Sequence, residues 1–83
     1  NPELSKAYND IGTIYAKMGE FDKAIEEINK AIEINPYNAG YYYNLAIIYE
    51  YLKENEKAKD LLIKGLEIEP ENNKVKDKLK SLQ

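Results

Sequence analysis

Few residues in this chain could carry out catalysis. The sequence contains no Cys and no His, which excludes thiol chemistry, disulfides, zinc sites built on those residues and the most common general base. The serine-type nucleophiles are Ser5 and Ser81, and neither has a His to activate it. There is also no Gly-rich phosphate loop and no carboxylate pair isolated in an apolar setting. We therefore expect no enzymatic activity, no metal site and no cofactor.

Residues suited to binding are more prominent. Tyr43, Ile47 and Tyr51 follow one another at four-residue spacing, which places them on one face of a helix. They lie one step around that helix from the residues expected to form its core. Contiguous apolar area beyond the needs of a core often marks a binding surface. The alternative is that Tyr43 packs against neighbouring helices, and we expect Tyr37 and Tyr41 to be structural or loop residues.

Length and charge narrow the class of partner. Eighty-three residues suit one small domain with a single core. Its 12 basic residues are all Lys and face 15 acids, giving a net charge of −3. Nucleic acid is not an expected partner, because phosphate binding favours a basic face and Arg forks. No apolar run approaches the roughly 18 residues of a membrane span, so we expect no membrane partner and a cytoplasmic location.

An internal repeat organises the chain. Pro2, Pro36 and Pro70 stand 34 residues apart, and residues 3–36 and 37–70 share ten identities without a gap. Apolar residues step by three and four within each unit, and Pro restrains the chain from continuing the second helix of each unit. This pattern predicts five helices, at about residues 3–18, 21–34, 38–53, 55–68 and 72–82. The last has one apolar side and polar flanks, as a capping helix does.

Turn and cap residues give more detailed expectations. Gly19 can take the left-handed conformation that ends a helix, and Asp22 is suited to cap the next one. Asn38, and Asn72 or Asn73, are expected caps of later helices. In the second unit Lys53 replaces the turn Gly, and Asn55, two residues later, could take the left-handed conformation more cheaply. We expect the second turn to be the looser one.

The alternation of small and large residues identifies a family resemblance. The first unit carries Tyr8-x-x-Ile11-Gly12-x-x-Tyr15, Gly19-x-Phe21, Ala24, Ala31 and Pro36; the second carries Tyr42, Leu45, Ala46, Tyr49, Ala58, Gly65 and Pro70. This pattern resembles the tetratricopeptide repeat over essentially the whole chain. The resemblance implies an all-α fold, a right-handed α-α superhelix or solenoid of two helical hairpins plus a capping helix. The domain would comprise repeat one at about 3–36, repeat two at about 37–70 and the cap at about 71–83. We expect it to be a fragment of a longer protein.

The resemblance also implies a function, that of a protein–protein interaction scaffold. In related repeats the first helix of each hairpin lines a concave groove that takes a peptide segment of a partner protein. Carried onto this sequence, the groove predicts apolar contacts from the tyrosine stripe and polar contacts from the first, third and fifth helices. The predicted peptide-binding residues are Asn9, Thr13, Tyr43, Asn44, Ile47, Tyr51, Lys74 and Lys78.

A narrower version of this function is also implied by the family. Some tetratricopeptide domains hold the C-terminal carboxylates of heat-shock chaperones in a clamp, and Asn44, Lys74 and Lys78 match positions of that clamp. Two other positions fail, because Asn9 stands where Lys is expected and Thr13 where Asn is expected. A carboxylate needs fixed donors and positive charge around it, and only about half of them remain.

Self-association is the alternative function. If an upstream repeat has been removed, the face carrying Leu4, Ala7 and Ile11 would be uncovered and could pair with another copy or exchange a hairpin. A homo-oligomer through the end helices therefore stays open. A designed repeat without a natural ligand is less consistent with the irregular second turn and the modest identity between the units.

Overall fold

The computed structural model describes all residues, 1–83, and contains five α-helices and no strand. The helices are α1 (Pro2–Lys17), α2 (Phe21–Ile34), α3 (Ala39–Tyr51), α4 (Asn55–Ile68) and α5 (Asn73–Leu82). Each begins and ends within two residues of its predicted position. The chain divides into two compact units, Asn1–Tyr37 and Asn38–Gln83. None of the helices has the length and apolar character needed to cross a bilayer.

Asparagine side chains begin three of the helices. Asn1 accepts a hydrogen bond from the Glu3 N–H at 3.0 Å, with Pro2 at the first helical position, where its missing N–H costs nothing. Asn38 accepts from the Gly40 N–H at 2.8 Å. Asn72, rather than Asn73, caps α5 by accepting from the Val75 N–H at 3.1 Å. Local side-chain bonds thus fix the starts of α1, α3 and α5.

The predicted cap of α2 is wrong. Asp22 lies inside the first turn of α2, which begins one residue earlier, and Glu20 is the N-cap residue without a side-chain cap bond. Glu54 is likewise the N-cap residue of α4 and makes no side-chain cap bond. A carboxylate at the position of Asp22 still favours the helix through its N-terminal dipole.

The first unit is a hairpin whose helices approach each other at Gly12. A methyl group there would lie 2.6 Å from Ile28 Cγ1 and 3.1 Å from the carbonyl oxygen of Ala24. Ala24, Ile28 and Ala31 of α2 are fully buried. Because Ile28 is enclosed on all sides, it has nowhere to move, and only a residue without a side chain fits opposite it. The close approach predicted for Gly12 and Ala24 is confirmed.

The second unit packs α3 and α5 on α4. Ala46, Ala58, Leu62 and Val75 form its buried core, each at most 1% exposed. Half-buried apolar side chains surround this core, namely Tyr43, Tyr49, Leu61, Leu66, Leu79 and Leu82. Paired alanines on α3 and α4 take the place that Gly12 and Ala24 have in the first unit, as predicted.

The two interhelix turns have the same hydrogen bonds. After α1, the Gly19 N–H donates to Ala16 and the Glu20 N–H donates to Tyr15, at 3.0 and 2.9 Å. After α3, the Lys53 and Glu54 N–H groups donate in the same pattern to Glu50 and Tyr49, at 3.0 and 2.8 Å. Both are Schellman motifs, in which the residue after the C-cap takes the left-handed conformation.

That conformation falls on Lys53, the residue that replaces the turn Gly, and not on Asn55. Lys53 has φ of 66° and Gly19 has φ of 80°, whereas Asn55 is the first residue of α4. The register of the Schellman bonds fixes which residue must be left-handed, and side-chain preference does not move it. The second turn is as well bonded as the first, with the strain held in one lysine backbone.

Ion pairs on the outer faces are mostly local. Lys30 bonds Glu27 at 3.1 Å, one turn away on α2. The hydrogen bond to Glu27, followed by the charge of that carboxylate, raises the pKa of Lys30 above its ordinary value. Such exposed pairs contribute little to stability.

Substituting the two buried glycines should have opposite effects. Gly12→Ala should lower the free energy of unfolding by about 1–3 kcal/mol, because its methyl group meets Ile28 and the Ala24 carbonyl. Gly65→Ala should raise it by up to about 1 kcal/mol, because its methyl group would lie 3.6 Å from Val75 Cγ1, an ordinary contact, and Ala favours the helix. Urea unfolding followed by circular dichroism measures both. Changes of the same sign would contradict the packing described here.

Lys53→Gly should stabilise the chain by about 1 kcal/mol, because glycine takes positive φ without the clash of a Cβ. Lys64→Gly is the matched control, since Lys64 is an exposed residue in the interior of α4. That change should destabilise the chain by about 1 kcal/mol. Thermal unfolding of both variants checks the prediction, and a loss of stability in Lys53→Gly would show that the turn is not strained.

Candidate functional site

The apolar stripe of α3 runs from a packed end to an exposed end. Tyr43 is half-buried and packs against the core of the second unit. Ile47 is also half-buried, and Tyr51, in the last turn of the helix, is 69% exposed. The two sequence interpretations of the stripe therefore apply to different residues, because Tyr43 is partly structural while Tyr51 presents most of its ring to solvent. Tyr41 is buried and Tyr37 lies exposed in a turn, as expected.

An open cleft on the second unit begins at this stripe. Its larger part, of about 790 Å³, is lined from α3, from the turn after it, from the first residue of α4 and from the end of α5, by Ile47, Glu50, Tyr51, Lys53, Asn55, Ser81 and Leu82. Its smaller part, of about 320 Å³, is lined by Tyr43, Lys74, Asp77, Lys78 and Ser81. Ser81 borders both parts, and we call them together the α3–α5 cleft. The larger part has the size of a site that holds several side chains of a ligand.

A lysine and a tyrosine form one wall of the smaller part. The Lys74 ammonium lies 4.8 Å from the centroid of the Tyr43 ring, within the range of a cation–π interaction. Because Lys74 projects from α5 and Tyr43 from α3, the contact brings a positive charge to the edge of the cleft. An anionic group that entered here would meet that ammonium against an aromatic face.

A salt bridge connects the two sides of the cleft. Lys78 Nζ of α5 lies 3.0 Å from Glu50 Oε1 of α3, and the side chains are only 26% and 33% exposed. The other ion pairs join residues no more than five positions apart. Glu50 lines the larger part and Lys78 the smaller, so their pair stands where the two parts meet. One of the two predicted anion-binding lysines is thus already bonded to a carboxylate of the chain itself.

Of the eight predicted binding residues, five line this cleft. These are Tyr43, Ile47, Tyr51, Lys74 and Lys78. Asn9, Thr13 and Asn44 are not among its lining residues. The Thr13 hydroxyl donates to the Asp10 carbonyl at 2.8 Å, within its own helix. The role of these three residues in binding stays a prediction.

Sequence reasoning missed part of the lining. Lys53, Asn55 and Leu82 also line the cleft, although their positions predicted a turn, a helix start and a core residue. Glu50 also lines the cleft, and sequence reasoning did not identify its partner Lys78. The helical register was the available signal for Glu50, and nothing in the repeat pattern marks the other three.

The two serines do not offer free nucleophiles. Ser5 is fully buried, and its hydroxyl donates to the Pro2 carbonyl at 2.9 Å. The Ser81 hydroxyl donates to the Lys78 carbonyl at 2.6 Å. Both hydroxyls are thus engaged with their own helices, as serines in helices commonly are.

Comparison with protein families decides the identity of the fold. Two models of the tetratricopeptide repeat match residues 5–38 and 27–60 and together extend over more than half of the chain. The chain belongs to the tetratricopeptide repeat family. The predicted fold class, an all-α helical repeat solenoid, is confirmed. Tetratricopeptide repeats are protein–protein interaction modules, and the family is a scaffold fold.

Solved structures of the same fold support the assignment. The N-terminal domain of stress-induced protein-1 (STI-1) from C. elegans is 29% identical with a TM-score of 0.81, over 87% of this chain and 57% of that one. MamA protein is 24% identical with a TM-score of 0.91, over 99% of this chain and 45% of that one. The chain thus spans about half the length of each of these two.

A third structure was solved with a peptide. The second TPR of Spaghetti (RPAP3), bound to the HSP90 peptide SRMEEVD, is 21% identical with a TM-score of 0.92, over 99% of this chain and 76% of that one. At 24% and 21% identity, the likeness to MamA and to Spaghetti shows a shared fold and nothing about function. A sequence search among curated proteins finds no match.

Proposed function

We propose that this tetratricopeptide chain binds a peptide segment of a partner protein in the α3–α5 cleft. The observation that carries the proposal is Tyr51, a large aromatic side chain that is 69% exposed on the wall of a cleft. Aromatic residues at the edge of a concave surface are typical anchors of protein interfaces. Ile47 and Leu82 line the same part of the cleft, so a ligand side chain there would meet apolar groups beside the tyrosine.

The charges of the cleft favour a ligand that is both apolar and acidic. Lys74 brings a positive charge to the smaller part, while Ile47 and Tyr51 offer apolar area in the larger part. A peptide could place an apolar side chain against the tyrosine and a carboxylate near the lysine. Peptide binding by the Spaghetti domain supports this class of ligand. With few anchors, we expect dissociation constants of about micromolar or weaker.

Tyr51→Ala should weaken peptide binding at least tenfold, which corresponds to about 1.4 kcal/mol. The matched control is Tyr37→Ala, which removes a tyrosine that is 78% exposed from a turn of the other unit. A phage-displayed library of 12-residue peptides is selected on the wild-type chain, and the best peptide is then titrated against all three proteins by fluorescence anisotropy. Circular dichroism verifies that helicity is unchanged.

Two results would overturn this function. The first is a selection that yields no binding peptide. The second is a selected peptide that binds Tyr51→Ala as tightly as Tyr37→Ala, since binding would then take place elsewhere on the chain.

A second candidate function is self-association through α1. Leu4, Ile11, Ile14 and Met18 share one face of this helix and are 43–65% exposed. In the repeat register Ile11 and Ile14 correspond to Leu45 and Ile48, which are only 2% and 4% exposed. The α1 face thus has the composition of a buried surface while it is open to solvent.

The charges beside this face favour a second copy of the chain in antiparallel orientation. Glu3 and Lys17 lie on one flank of the face, at opposite ends of α1. A two-fold pair of antiparallel α1 helices would place Glu3 of each copy near Lys17 of the other. It would also oppose the two helix dipoles, whereas a parallel pair would align them.

Sedimentation equilibrium at several concentrations should show a monomer–dimer equilibrium, and Ile14→Glu should shift it to monomer. Glu3→Lys and Lys17→Glu should each weaken the dimer severalfold, because each creates two like-charge contacts. Mixing these two variants should restore dimerisation through opposite charges. This function would be excluded if the chain stayed monomeric at all concentrations up to about millimolar. A dissociation constant of about millimolar corresponds to a binding free energy of only about 4 kcal/mol.

A further inference from the structure

The Glu50–Lys78 salt bridge lies inside the proposed peptide site. We propose that Glu50 is an internal competitor, which competes with the carboxylate of the ligand for Lys78. In the free chain Glu50 occupies Lys78, and an acidic peptide must displace it. Glu50 would then be a specificity-determining residue, which makes acidity alone insufficient for binding. This inference rests on the proposed function and concerns the selectivity of the same site.

The geometry supports an exchange of carboxylates. Glu50 Oε1 accepts a hydrogen bond from Lys78 Nζ at 3.0 Å, the contact that a ligand carboxylate would make. Both side chains reach the pair from different helices and are partly exposed, at 26% and 33%. Solvent and ligand can therefore reach the pair. Its enclosure nevertheless makes each charge interaction stronger than it would be on an open surface.

The charges lining the cleft decide what can displace Glu50. Lys53, Lys74 and Lys78 line the cleft together with Glu50 and Asp77, so it carries three positive and two negative side chains. A ligand carboxylate that takes Lys78 leaves Glu50 without its partner, and the exchange gains little charge energy by itself. The apolar contacts at Ile47 and Tyr51 must therefore supply the driving force.

The ligand class follows from this balance. The site fits a peptide in which an apolar side chain and a carboxylate lie close together, so that burial of the first drives exchange of the second. A purely acidic segment would meet Glu50 and Asp77 without such compensation. Repulsion of the wrong ligand is a common source of specificity in binding sites.

A purely structural role for the pair makes a different prediction. If the salt bridge only holds α5 against α3, its loss would loosen the cleft and weaken every ligand alike. An internal competitor gives the opposite result for acidic ligands, which should bind more tightly after its removal even when the chain becomes less stable. Affinity and stability thus move in opposite directions only in the competitor case.

The test compares Glu50→Gln with the wild type and with Glu54→Gln. Glu54 is a suitable control because it bonds Lys57, three residues away, and does not line the cleft. The probe is the peptide selected on the wild type, extended by Asp-Asp or by Asn-Asn at either end, with a blocked C-terminus. Binding is measured by anisotropy, and urea unfolding records the stability of each protein.

Glu50→Gln should bind the Asp-Asp form about five- to tenfold more tightly than the wild type does, for at least one of the two extensions. The ratio of its Asp-Asp affinity to its Asn-Asn affinity should exceed that of the wild type by a similar factor, and Glu54→Gln should match the wild type throughout. Lys78→Gln, alone or with Glu50→Gln, should abolish the gain. Higher salt should reduce the gain, since it arises from charge.

An equal ratio of Asp-Asp to Asn-Asn affinity in Glu50→Gln and wild type would overturn the inference, as would weaker binding of both forms. In either case the proposed function stands if the wild type still binds the selected peptide through Tyr51. If no peptide can be selected on the wild type, the proposed function and this inference both fail. The two failures are thus distinguishable in one set of titrations.

Discussion

The distance between paired helices depends on small residues at their contacts. In the first unit α1 meets α2 where Gly12 faces Ile28 and the backbone of Ala24, with no room for a methyl group. In the second unit Ala46 and Ala58 do the same work between α3 and α4. Helices held this close leave their larger side chains no place between them, so the aromatic rings lie beside the contact or on the surface. The exposed edge of the tyrosine stripe follows from that constraint.

The fold could be predicted from the sequence because its signals are local. The Asn caps at Asn38 and Asn72 act within three residues and were recognised from residue type alone. Errors arose where the backbone, and not a side chain, decides the structure. Lys53 is left-handed because the Schellman bonds to Tyr49 and Glu50 require it, although residue preference favoured Asn55. Asp22 was misplaced for a similar reason, since α2 begins without any side-chain cap.

The site was predictable only along a single helix. Four-residue spacing predicts that Tyr43, Ile47 and Tyr51 share one face of a helix, and these three residues line the cleft. Contacts between helices are not encoded by any such spacing, so the pairing of Glu50 with Lys78, 28 residues later, could not be anticipated. The same limit applies to Lys78, which the resemblance assigns to a ligand carboxylate and which bonds Glu50 in the free chain. The family resemblance supplied positions for charged residues but not their partners in this chain.

Lysines that lie over tyrosine rings recur in the repeat. Lys23 covers Tyr15 in the first hairpin, and Lys57 covers Tyr49 at the same offset in the second, at 5.6 and 5.4 Å from the ring centroids. Duplication of the hairpin has therefore retained a hydrated cover for an aromatic surface as well as the core. Such a cover keeps a half-buried ring compatible with water. Hairpins of this kind can accordingly be repeated without each one adding an uncovered aromatic surface.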